Sequence, residues 1–200
     1  GDAAVAELGL EVLDEIAVDT GIGDYSPQIT RIMGSAPDAV LVNLVTEDAA
    51  LFMRQAVERG LDTLWVGPNN GLLNDRLYEL SAGAAEGLIV PSHLDFGAAG
   101  ATDFVERFEA KLGPMQDILT TFGYDVVYLL REALLAADDP DDRASVKAAL
   151  GEIGSFCGIS SCFEHDSAGN YLTGELFHLR MTPDGFEPYT PVEAPEADTR

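Results

Sequence analysis

Lysine is almost missing from this chain: of 200 residues only Lys111 and Lys147 are lysine, and 11 basic residues face 35 acidic ones, for a formal net charge of −24. Nucleic acid is not expected as a partner, because binding it takes a basic patch that replaces counterions. Cysteine is as scarce. Cys157 and Cys162 are the only two, and they lack the further Cys or His that a zinc site needs. A local disulfide and a pair of buried thiols are both open readings for them. No window approaches the ~20 apolar residues of a membrane span, and no charged-then-apolar signal segment opens the chain. The first residues, Gly1-Asp2-Ala3-Ala4-Val5, carry no initiator methionine and read as the inside of a helix, so an upstream segment is expected to have been removed or left out. No Ser-His-Asp, Cys-His or metal constellation with a positioned nucleophile stands out, so no catalytic residue, cofactor or metal is expected.

What is present is an ordinary apolar complement, 46% of the residues, in a chain long enough to bury about 70% of its unfolded surface. An acidic, lysine-poor surface over such a core points to work in concentrated salt, where the Debye length shrinks to about 3 Å at ~1 M and self-repulsion is screened. An acidic protein from ordinary conditions is the alternative reading.

Short apolar strands alternate with amphipathic helices. Residues 11–18 read as a strand, followed by a loop and a helix with Ser26 as N-cap, Pro27 at its first position, and Ile29, Ile32 and Met33 as its apolar stripe. Residues 39–45, almost continuously apolar, read as a parallel strand covered on both faces. Thr46 reads as the cap of the next helix, with Glu47 and Asp48 where the helix dipole favours anions and Gly60 at its end. A strand over 63–66, a helix over 72–82 and a strand over 87–90 follow. This rhythm predicts an α/β fold with a doubly wound, Rossmann-like or flavodoxin-like parallel sheet. Ligands of such sheets sit beyond the carboxyl ends of the strands, here the loops at 19–25, 45–47, 67–71 and 91–95. Beyond residue 100 the pattern turns helical, over 102–112, 116–137 and onward to about 151. In the longest helix Ile118, Leu119, Phe122, Val126, Leu129, Leu130, Ala133 and Leu134 form the apolar stripe, with Asp117, Thr121, Asp125, Tyr128 and Glu132 opposite. A C-terminal hairpin follows, with a turn at 166–170 and a strand from Tyr171 to Met181, and then an acidic tail. The organisation expected is a sheet core over 1–95, a helical segment over 96–154, terminal strands over 155–188 and a tail over 189–200.

Two enzyme-like signals near the start are weak. Asp19-Thr20-Gly21 has the look of an aspartyl-protease triplet, but the shared-proton dyad needs two, which only a homodimer would supply here. Gly21-Ile22-Gly23 lacks the third glycine of a dinucleotide loop.

The run Asp24-Tyr25-Ser26-Pro27-Gln28-Ile29-Thr30-Arg31-Ile32 stands before Pro37-Asp38-Ala39-Val40, Arg54-Gln55-Ala56 and Gly60-Leu61. Next come Ala84-Ala85-Glu86-Gly87, Phe104 with Phe108, Lys111-Leu112-Gly113, Tyr124-Asp125-Val126-Val127, and Gly158 with Phe163, Gly169 and Asn170. In that order, over about 24 to 170, they resemble the type I solute-binding proteins of ABC transporters, the branched-chain amino-acid receptor group. The resemblance implies a non-catalytic, extracytoplasmic receptor with two Rossmann-like lobes joined by three crossovers, closing on a small solute and presenting it to a membrane permease. It also implies that this chain is the carboxyl-terminal half, whose helices would pack on a first lobe not encoded here, so that self-association is expected of the bare chain.

Site residues carry over from the resemblance at two places. One is the end of the strand at 39–45, where amino-acid receptors place an aromatic residue and this chain has Val45, Thr46 and Glu47. The other is the loop after Val66, where a Gly-Pro-Glu-Gly pattern supplies a carboxylate and this chain reads Gly67-Pro68-Asn69-Asn70-Gly71. Asn69 and Asn70 read equally as a turn that tolerates left-handed backbone. His93, at a strand end near a crossover, reads as a ligand or hinge contact or as a plain loop histidine. The rival readings are a sensory domain on the same fold, which a fused kinase or DNA-binding segment would reveal, and a Rossmann-like enzyme, which would need a cofactor fingerprint.

With a charge of −24, removing salt leaves the repulsion unscreened, so the melting temperature should rise between low and molar sodium chloride. A calorimetric scan showing the same temperature at both would count against a salt-adapted surface.

Overall fold

The computed structural model describes residues 8–68, 70–74, 76–93, 99–115, 119–160, 162–165, 171–173 and 176–190. In chain order its elements are α1 (Ser26–Ser35), β1 (Ala39–Leu41), α2 (Thr46–Glu58), β2 (Leu64–Val66), a 3-10 turn (Asn70–Leu72), α3 (Arg76–Leu80), β3 (Ile89–Ser92), α4 (Ala99–Leu112), α5 (Leu119–Ala136), α6 (Arg143–Glu152), β4 (Ser155–Cys157), β5 (Cys162–His165), β6 (Tyr171–Thr173), β7 (Phe177–Thr182) and β8 (Gly185–Tyr189). They fall into two compact units, Gly1–Ile89 with Arg180–Phe186, and Val90–Leu179 with Glu187–Arg200. The chain therefore passes between the units three times.

In the first unit β1, β2 and β3 pair in parallel, with Ala39 opposite Leu64, Leu41 opposite Val66 and Val66 opposite Ile89. The sheet runs in the order β1-β2-β3-β7-β8, and Met181 exchanges backbone hydrogen bonds with Gly87 and Leu88 at 2.9 Å. The helices supply the core. Along α2, Ala49, Ala50, Phe52, Met53 and Ala56 recur at helical spacing and all are buried; three alanines let the helix lie close, and Phe52 fills the space they leave. Its ring meets Tyr25 edge-on at 5.6 Å and Trp65 at 5.8 Å, an arrangement that favours the ring quadrupoles. Trp65 and Val40, paired on one sheet face, turn toward these helices, while Leu41 on the other face stays 63% exposed. The expectation of a strand covered on both faces is thus met on one face only.

Other expectations need correction. Residues 11–18 form no strand, and Val12 and Leu13 are exposed; Glu11, Asp14 and Glu15 leave the segment no continuous apolar face to bury. Ser26 is the first residue of α1 and not its cap; the Asp24 carboxylate instead accepts the Ser26 N–H at 2.9 Å, and the Ser26 hydroxyl first, with this backbone bond second, holds the Asp24 carboxyl below its usual range. Thr46 likewise begins α2 without capping it. The helix expected over 72–82 is shorter, the 3-10 turn and α3, because Ala82, Gly83 and Gly87 take positive φ and turn the chain toward β3. Tyr171 to Met181 divides into β6 and β7, which lie in different sheets.

The second unit holds α4, α5 and α6 with the antiparallel sheet β4-β5-β6. Asp142 caps α6, its carboxylate accepting the N–H groups of Ala144 and Ser145 at 3.2 Å. Cys157 and Cys162 face each other across β4 and β5 and are joined by a disulfide. The long helix α5 follows its sequence pattern only in part: Thr121 and Asp125, read as its polar face, are buried together with Ala133 of the apolar stripe, while Val126, Leu130 and Leu134 of that stripe are exposed beside Val127, which is 64% exposed, and Tyr128 and Glu132 of the polar face stay outside.

A bare apolar stripe of this kind drives association. The 200-residue chain should elute larger than a monomer and bind an apolar dye, and Leu130→Glu with Leu134→Glu should reduce both. A monomer that takes up no dye would show that α5 needs no cover.

Candidate functional site

The candidate residues of the first unit gather at one edge of its sheet. β1 and β2 are adjacent and parallel, so the chain leaves both at the same end. After β1 it runs through Val42, whose N–H donates to the Val66 carbonyl at 2.8 Å, to Val45, which sits in extended backbone at φ −68°, ψ 156° and is 54% exposed. Thr46 is half-buried and Glu47 exposed in the first turn of α2. The Val45 carbonyl takes the first helical bond, from Ala49 N–H at 2.9 Å, and no side chain caps the helix. After β2, Gly67 is buried and donates its N–H to the Ile89 carbonyl at 2.8 Å. Asn70 then opens the 3-10 turn, and Asn69 lies outside the described residues. The structure thus brings Val45, Thr46, Glu47 and the Asn70 backbone to one sheet edge. His93 belongs to the second unit, half-buried, with its ring 6.0 Å from Phe122 and its Nδ1 without a hydrogen bond among the described residues.

Two residues of α2 that the sequence left in bland roles fix the approach to this edge. Asp48, read as a dipole-favoured anion of the first turn, is buried, and its carboxylate accepts the Gly21 N–H at 2.9 and 3.2 Å. Gln55 accepts the Tyr25 N–H at 2.7 Å and donates to the Gly23 carbonyl at 3.0 Å. The Gly21-Ile22-Gly23 loop is therefore a clamped turn, its N–H at Gly21 spent on Asp48 and unavailable to a phosphate. Gly21 itself takes φ +75°, a conformation glycine adopts at little cost. The signal for Gln55 was in the sequence only as part of a resemblance; its pairing spans 30 residues, a distance no local pattern conveys.

The sequence model of the periplasmic binding protein family matches residues 2–173. Solved structures share the fold. A leucine-binding protein from Thermotoga maritima aligns with a TM-score of 0.83 and 24% identity, over 94% of this chain and 54% of that one. An ABC-transporter solute-binding protein from R. palustris, in complex with benzoate, aligns at 0.79 and 20%, over 94% and 52%. A branched-chain amino-acid transporter substrate-binding protein from Streptococcus pneumoniae, in complex with isoleucine, aligns at 0.78 and 20%, over 94% and 56%. The chain spans about half the length of these structures. No curated protein is similar enough in sequence to match.

The hydroxyl of Tyr25, fully buried, finds no hydrogen-bond partner among the described residues. Burial first, and the nearby Asp48 carboxylate second, push its phenol above the usual 10.0. A raised folded pKa contributes stability that is whole below pH 10.0 and is lost as pH rises through the folded value. Urea unfolding followed by the single tryptophan, Trp65, should show stability falling above that pH. Tyr25→Phe should blunt the fall and cost little at neutral pH, since it removes an unpaired polar atom. A fall equally steep in Tyr25→Phe would place the alkaline sensitivity elsewhere.

Proposed function

The chain belongs to the periplasmic binding protein family, and on that footing we propose that it forms part of an extracytoplasmic receptor that holds a small solute between two lobes and hands it to an ABC permease. The family is one of binding proteins, not enzymes. The observation that carries the reading is the gathering of Val45, Thr46, Glu47 and Asn70 beyond the carboxyl ends of adjacent parallel strands, where open α/β sheets receive ligands. One further fact supports it: the Cys157–Cys162 disulfide suits an oxidising compartment. Among the described residues no helix is long and apolar enough to cross a membrane. The exposed apolar side of α5 is where the remainder of the receptor docks, or in its absence a second copy.

The solute we propose is neutral, amide-like or anionic, in preference to a free branched-chain amino acid. An ammonium group desolvated in a closed cleft needs an anion, because an unpaired buried charge costs several kcal/mol. In sequence the loop after β2 carries Asn69 and Asn70 and no carboxylate between Gly67 and Gly71, and Glu47 is exposed on the first turn of α2. Similar folds hold isoleucine in one solved structure and benzoate in another, so the architecture itself decides neither way.

Calorimetric titration of the full-length receptor with leucine, isoleucine and valine beside small amides and carboxylates tests this. Amides or carboxylates should bind at least tenfold more tightly than the amino acids, and Asn69→Ala should weaken them. Micromolar binding of the free amino acids, abolished by Glu47→Gln and indifferent to Asn69→Ala, would overturn the assignment and move the ammonium site to the start of α2. Failure of every small solute to bind would overturn the receptor reading itself.

A further inference from the structure

We infer that Asp125 is a positioning residue for the Cys157–Cys162 disulfide, holding the loop between the two cysteines closed so that the sulfurs meet whether or not they are bonded. Asp125 is a buried carboxylate on α5, and no positively charged group is paired with it in the described structure. Its oxygens are instead filled by the loop that the disulfide closes: Ile159 N–H donates at 2.8 Å and Ser160 N–H at 2.9 Å, and the Ser160 hydroxyl donates as well. Ionised carboxylates accept such bonds more strongly than neutral acceptors do. The loop has to come very close for this. A Cβ at Gly158 would run into the Asp125 carboxylate, so glycine is required there for space.

The bridge and the carboxylate therefore restrain the same short loop, from Cys157 to Cys162. In thiol–disulfide exchange with glutathione, two glutathione thiols donate two electrons and two protons to the bridge, leaving two cysteine thiols and one glutathione disulfide. The equilibrium depends on how near the two freed thiols stay to each other. With Asp125 in place they are held in register by a loop whose Ile159 and Ser160 amides are committed to its carboxylate. Without it the loop opens and the effective concentration of one thiol at the other falls. The coupling is reciprocal: whatever Asp125 adds to the bridge, the bridge adds to the Asp125 hydrogen bonds.

The test equilibrates the native chain with reduced and oxidised glutathione and measures the reduced fraction by thiol alkylation and mass. Asp125→Asn should make the bridge about tenfold easier to reduce, the size of coupling between members of one hydrogen-bond network. Gly158→Ala, which displaces the same carboxylate by a different route, should shift the equilibrium in the same direction, and the double variant should add little to either. Leu77→Ala, in the core of the other unit, lowers stability without touching the loop and should leave the exchange constant unchanged. If Asp125→Asn does not fold, Gly158→Ala and Ser160→Ala carry the measurement. An exchange constant unaltered in these variants, or altered as much in Leu77→Ala, would overturn the inference.

Discussion

An extended loop that leaves water must have its backbone N–H groups met, and leaving one unmet costs about 1–3 kcal/mol. In the first unit α2 meets them with side chains, Asp48 at Gly21 and Gln55 at Tyr25. These bonds do more than satisfy donors. Gln55 fixes the entry to α1, which places the Tyr25 ring against Phe52, and Phe52 against Trp65 of β2. Because the same helix begins at the exposed edge where Val45, Thr46 and Glu47 stand, its fixed position also sets where those residues are presented. A polar clamp on one side of α2 and an apolar seat on the other thus determine the geometry of the candidate site, although neither clamp residue belongs to it.

The second unit is organised by a similar device placed the other way round. Asp125 is held inward on α5 beside the buried Thr121, and Val126, Val127, Leu130 and Leu134 are left outward. Sequence periodicity reports that a helix has two unlike faces, but not which of them the neighbours will bury. That decision rests on a partner loop more than 30 residues further along the chain, and on whatever surface covers the outward side.

Much of the architecture was legible. The alternation of strands and helices, the parallel order of β1 to β3 and the cap at Asp142 follow from local pattern and spacing. What was not legible depended on distant pairing. Residues 11–18 carry enough valine, leucine and isoleucine to read as a strand, yet their acidic residues interrupt both faces and no ladder receives them. Ser26 and Thr46 are good caps by residue type, and each proved to be the first helical residue, since a cap depends on backbone angles that the flanking residues set. The candidate site was legible in part: the edge holding Val45, Thr46, Glu47 and Asn70 follows from strand order alone, while the clamps beneath it do not.

The bonds of Met181 to Gly87 and Leu88 join stretches separated in the chain by nearly the whole of the second unit. As the polypeptide emerges vectorially, β1, β2 and β3 are made early and then wait for their neighbour β7. Until it arrives, β3 has an open edge, which is a template for wrong pairing. Closing so long a loop through disordered chain carries an entropic cost, and that cost is smaller once the intervening residues are compact, because the ends of the loop are then already near. The connectivity therefore makes one sheet depend on the other unit: β3 keeps an open edge until the intervening residues bring β7 to it.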